Sequence, residues 1–197
     1  MEAQTLTFRP HRRSIDVESI VEQKAEALSR TIVRMAVEGR DGDLCETLRS
    51  TDHRKTGAAI EEIVCLYLFI ADRSAHALLD DEIVSPYHRD AFVALLFERS
   101  ADLIAASFEV ERIIEARARL TALWEDRRAA YGACSRMYRQ ESESLDGTVI
   151  YLFYQNILRL GRETALHVLA ALEIPLLHVE MSKVLGEMIC DLLGMEM

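Results

Sequence analysis

The chain predicts an all-α fold: five to seven helices in a mostly antiparallel helical bundle. Three observations carry that prediction. Only 8 glycines and 3 prolines interrupt 197 residues, so turns are few and the segments between them are long. Half of the residues are hydrophobic, ample for one core and too many for a disordered chain. Those residues recur every three or four positions, the helical period, and no alternating apolar and polar run is long enough for a sheet.

Met1 to Arg13 holds Arg9, Pro10, His11, Arg12 and Arg13. Residues 1–14 read as a flexible or partner-docked basic arm, with a single α-helical domain over 15–197. Ser14 or Asp16 can cap the first helix by accepting hydrogen bonds from its free N–H groups. Val17, Ile20, Val21, Leu28, Ile32, Met35 and Ala36 then follow at helical spacing, and Gly39 and Gly42 end the run. A short second helix is expected from Asp43. Another should begin between Thr51 and Gly57 and continue to about Asp81. Its main stripe runs from Ile60 to Leu79, and Cys65, Leu66, Phe69 and Ile70 make its middle apolar on the other sides as well. A helix apolar all round is either central or covered by a second chain.

Ser85-Pro86 marks the next start, with Ser85 as N-cap and Pro86 in the first turn. A break is expected near Ser107 to Glu109, because one rod onward to Gly132 would exceed usual helix lengths. From about Val110 to Gln140, Ile113, Ala116, Leu120, Leu123, Trp124, Tyr131, Cys134 and Tyr138 share a face at nearly heptad spacing. Glu141 to Gly147 is a loop. A strongly apolar helix from Val149 to Leu172 and a last one from Pro175 complete the pattern. In the last helix Leu177, Met181, Val184, Leu185, Met188, Ile189 and Leu192 oppose Glu180, Lys183, Glu187 and Asp191.

The formal net charge of −10 weighs against nucleic acid and anionic membranes as partners, since both recruit basic surfaces. The most apolar run, Ile63 to Ala71, is far short of the ~20 residues that span a bilayer. No secretory signal is evident, so a cytoplasmic location is expected. Cys45, Cys65, Cys134 and Cys190 are widely spaced and read as small core residues.

Three constellations bear on function. Asp72, His76 and Asp80 line one side of a helix at i, i+4 and i+8. With Glu163 and His167 they form the candidate set for a divalent metal, as in a ferritin-like metal- or ligand-binding bundle. The di-iron pattern needs Glu-x-x-His on two helices, and the chain has none, so no cofactor is the leading expectation. Second, Arg127 lies within an apolar face, where a charge must be paired or must reach water. Glu111 to Arg139 carries seven arginines against four acids. Arg117, Arg127 and Arg128 are therefore candidates for an anionic ligand or an acidic partner, set against an internal salt-bridge layer with Glu61, Glu62 or Glu98. Third, the surplus apolar surface of Cys65, Phe69, Ile70, Leu185 and Ile189 predicts an interface. No nucleophile elbow and no Gly-rich phosphate loop occurs, which weighs against an enzyme. The leading expectation is an interaction or scaffolding protein, a homo-oligomer or a subunit bound to another protein. An effector-sensing domain would instead need an apolar cavity beside Trp124.

Overall fold

The computed structural model describes residues 16–79, 81–106, 113–138 and 145–195. The proposed arm over residues 1–14 and the expected break at 107–109 lie outside the described residues. All regular structure among the described residues is helical, with an isolated bridge between Arg136 and Thr148. The elements are α1 (Val17–Glu38), α2 (Leu44–Leu78), α3 (Pro86–Ala105), α4 (Ile113–Gly132), α5 (Val149–Leu158), α6 (Arg162–Ala171) and α7 (Ile174–Leu193). α2 is two helices joined across a kink at Asp52, whose φ of −156° and ψ of 89° are not helical. Counted so, there are eight helices among the described residues, one more than the upper expectation.

Local chemistry sets most of the boundaries. The Asp16 carboxylate accepts from the Ser19 amide and opens α1. Gly39 closes it at φ 63°. A Cβ there would stand 2.8 Å from the Ala171 Cβ and 2.9 Å from the Leu44 Cβ, so the close approach of α1, α2 and α6 requires glycine. Ser85 caps α3 by accepting from the His88 amide, with Pro86 in the first turn. Thr148 caps α5 by accepting from the Tyr151 amide.

Two expected helices are shorter than their apolar patterns. Among the described residues of the run over 110–140, Ile113 to Gly132 are helical and Ala133 to Tyr138 are not. Beyond Gly132 the chain turns and binds back to the start of α5: Ser135 N–H donates to Gly147, Val149 N–H to Arg136 and Ile150 N–H to Met137. Cys134 and Met137 still pack on the core from this turn, which is why a helical spacing persists past the helix. The run over 149–172 is broken at Gly161, whose φ of 128° lies outside the reach of most L residues.

One hydrophobic cluster takes side chains from every helix. At its centre runs the second rod of α2, where every residue from Ala59 to Asp72 is buried. α1 packs on α3, α7 and α2, and α4 and α6 also lie against α2. Lys24 joins α1 to α7, with its ammonium 3.2 Å from Glu187 and 2.9 Å from Asp191. Since Gly39 meets Ala171 just before α7 begins, α1 and α7 run antiparallel. α3 and α4 are antiparallel too: Phe97 stacks on Trp124, and Asp102 pairs with Arg117. Among the described residues no helix is long and apolar enough to cross a membrane.

Candidate functional site

The densest charged feature is a seam between α2 and α4. α2 contributes Glu61, Glu62 and Asp72, all buried. Carboxylates in a core must be paired, because desolvation of an isolated charge costs several kcal/mol. α4 supplies one arginine to each. The Arg119 Nε lies 3.1 Å from both oxygens of Glu61, and its terminal nitrogen bonds the same carboxylate. Arg127 donates from Nε to Glu62 at 2.8 Å and from a second nitrogen to the same group, and it also meets Asp126. Arg128 donates from Nε to Asp72 at 3.2 Å.

The innermost pair is Glu62 with Arg127, whose side chains are 9% and 13% exposed. The fork-to-fork geometry is the strong form of this contact. The bond to Glu62 raises the Arg127 pKa against the opposing pull of burial, so the residue stays charged. Around this pair lie Cys65, Tyr131 and Asn156. Burial, reinforced by Glu62, pushes the Cys65 thiol and the Tyr131 phenol up, which keeps both neutral. Asn156 sits beside Tyr131, yet neither the phenol oxygen nor the amide nitrogen completes a hydrogen bond of ordinary geometry. A thiol held neutral is a poor nucleophile.

One candidate from each of two sets meets the other here. Asp72 stood in the metal set and Arg128 in the anion set, and they bind one another. His76 Nε2 lies 3.2 Å from the second Asp72 oxygen without the alignment of a hydrogen bond. Asp80 lies outside the described residues. Glu163 is exposed and His167 half-buried, both on α6. Gly161 lies by Lys55, and the Glu173 amide donates to the Tyr67 hydroxyl at 3.2 Å. α6 therefore follows the first part of the rod, whereas Asp72 and His76 lie beyond Tyr67 toward its other end. Among the described residues no group of three or more His, Cys, Asp or Glu side chains could hold a metal.

Arg117 is exposed at the far side of α4, 2.8 Å from Asp102. It borders a groove between α3 and α4 of about 810 Å³ that flanks Trp124. The Phe97 and Trp124 rings stack there with centres 5.8 Å apart, and the Arg128 guanidinium lies 5.9 Å from the Trp124 ring. Asp90, Glu98 and Glu125 line the groove beside Arg117, Arg128 and His76. It is open and of mixed charge, not the enclosed apolar cavity that effector sensing would need.

The proposed interface residues fall inside the chain. Cys65, Phe69, Ile70 and Leu185 are buried, and Ile189 is half-buried. The reason is the seam: with Glu61 and Glu62 neutralised by arginine, α4 closes over the side of α2 that a second chain was expected to cover. Exposed apolar side chains lie on several other elements, among them Tyr87 of α3 at 71% and Ile114 of α4 at 83%. On α7, Leu176, Val179 and Leu193 are 44%, 62% and 53% exposed, and Leu166 of α6 is exposed as well.

No family model, curated protein or solved structure matches this chain. The functional reading therefore rests on geometry.

Proposed function

We propose that the chain is a non-enzymatic helical-bundle protein of the cytoplasm, mostly antiparallel in arrangement, that serves as an interaction or scaffolding subunit and pairs with a second copy of itself. The observation that carries this reading is the outward stripe of α7. Leu176, Val179, Lys183, Gly186, Cys190 and Leu193 recur at steps of three and four, the spacing of helices that pack along their length. A monomer gains nothing from exposing such a row.

The stripe is self-complementary. Laid antiparallel on a copy of itself, Leu176 meets Leu193, Val179 meets Cys190, and Lys183 meets Gly186, giving a two-fold interface. A Cβ at Gly186 would have nothing within 4 Å, so the glycine leaves room for the opposing lysine. Lys183 itself has no ion pair among the described residues. The net charge of −10 further favours protein over nucleic acid as the partner.

Static light scattering over a concentration series up to ~100 µM tests this. A mass of two chains is expected. A single-chain mass throughout removes the reading.

A further inference from the structure

A second cavity lies apart from both the seam and the α7 stripe. It is a cleft of about 340 Å³ between the end of α2, the turn after α4 and the start of α7. Arg73 and Ser74 of α2, Tyr138 of the turn and His178 of α7 line its polar side, over an apolar floor that includes Phe69 and Met137. No described lining residue is acidic, although the chain carries 33 Asp and Glu against 23 Lys and Arg. Arg73 is exposed and has no carboxylate partner among the described residues. Arg136 borders the cleft as well and is engaged within the chain. His178 Nε2 lies 3.4 Å from the Tyr138 hydroxyl, at the long end of hydrogen-bond reach.

The wall is pre-formed. The turn carrying Cys134 to Tyr138 is tied to Gly147, Val149 and Ile150 by three backbone hydrogen bonds, and Phe69 is fixed against Tyr131 in an edge-to-face contact 5.4 Å between centres. A fixed concave site with an apolar floor and a few convergent polar groups is the usual form of a small-ligand site, and little ordering cost opposes binding. A guanidinium beside a hydroxyl-bearing rim, with no carboxylate among the described lining residues, selects a planar anion. We infer that this cleft binds a small free carboxylic acid as its anion, with the carboxylate on Arg73 and an apolar body on Phe69 and Met137.

Calorimetric titration with phenylacetate at pH 7 and low salt tests the site. One phenylacetate per chain with a Kd of about 1 mM or below is expected. Phenylacetamide, which has the same shape without the charge, should bind about tenfold more weakly, and R73Q should weaken phenylacetate by a similar factor. A77W, at an exposed position on the cleft wall, should abolish binding by filling the space. No heat up to ~10 mM phenylacetate, equal binding of acid and amide, or unchanged binding by R73Q or A77W would each overturn the inference. Circular dichroism that matches wild type shows that each variant is folded, and both substitutions are at exposed positions.

Discussion

The second rod of α2 and the last helix, α7, both carry residues the sequence marked as surplus apolar surface, and they bury them differently. α2 is apolar on all sides over Ile63 to Ala71, and all of it is buried within one chain. α7 has a clean apolar face and a charged one, yet it leaves Leu176, Val179 and Leu193 in solvent. The difference lies in which neighbours each helix has. α2 has α1, α3, α4, α5, α6 and α7 around it, and its few acids are neutralised by arginines from α4. α7 rests on α1 and α2. Its acids Glu187 and Asp191 are drawn sideways to Lys24, which leaves a third, outward face of Leu176, Val179 and Leu193 with Lys183 as its one charge. The helix apolar all round lies at the centre of the molecule, and α7, where surplus apolar surface was expected at Leu185 and Ile189, exposes Leu176, Val179 and Leu193 instead.

Substitutions that separate the two helices break this comparison. The largest effect is expected for Phe69→Asp. It places an unpaired carboxylate in the core against Tyr131, at a cost of more than ~4 kcal/mol, and should unfold the chain rather than dissociate it. Circular dichroism in urea reports this; a folded monomer would mean that Phe69 does face a partner. Arg127→Ala should cost about 3–5 kcal/mol, because Glu62 is left buried and unpaired. The double variant Glu62→Met, Arg127→Met should recover most of that loss, since apolar pairs of similar size often replace buried ion pairs without penalty. Urea midpoints decide between this and an additive loss.

Alkaline pH acts on the same rod. Burial pushes the Tyr67 hydroxyl up to about 12 from an ordinary 10.0, and it raises the Cys65 thiol from 9.0 as well. Groups whose folded pKa is raised lend stability that is whole below their unfolded pKa. That stability is lost as pH rises toward the folded value. Stability should therefore decline from about pH 9 toward pH 12, with Tyr67 accounting for on the order of 2–3 kcal/mol. Tyr67→Phe should flatten the profile between pH 10 and 12, and an unchanged slope would contradict the assignment. The smallest effect is expected for Arg128→Ala. Its partner Asp72 is as buried as Glu62, but His76 lies 3.2 Å from the same carboxylate and the arginine is half-exposed, so a loss of about 2 kcal/mol is expected in the same urea assay.

Much of the fold was legible because helix boundaries are local. Ser85-Pro86, Asp16 and Gly39 carry their signals in their own side chains or in the lack of one, and the window from Thr51 to Gly57 did contain the kink at Asp52. Gly161 was not legible, since a single glycine inside an apolar run is tolerated in a helix at a cost of ~1 kcal/mol and only the φ shows otherwise. The end of α4 was hidden for a different reason. Cys134 keeps a core contact from a turn, so the apolar spacing outlives the helix. The charged seam was half legible. Arg127 on an apolar face demands a buried acid, and Glu62 was among those within reach. That Asp72 and Arg128 hold each other was not, because spacing within one helix says nothing of its register against another. The α7 stripe is not legible in the sequence because Gly186 and Lys183 interrupt it, while in space a glycine is a gap.

Val179→Asp tests the contrast between the two helices most directly. The residue is 62% exposed, so the chain should fold with unchanged circular dichroism. Light scattering should find it as single molecules at concentrations where the wild type pairs. A folded Val179→Asp protein that pairs as tightly as the wild type would contradict the placement of the contact surface on α7.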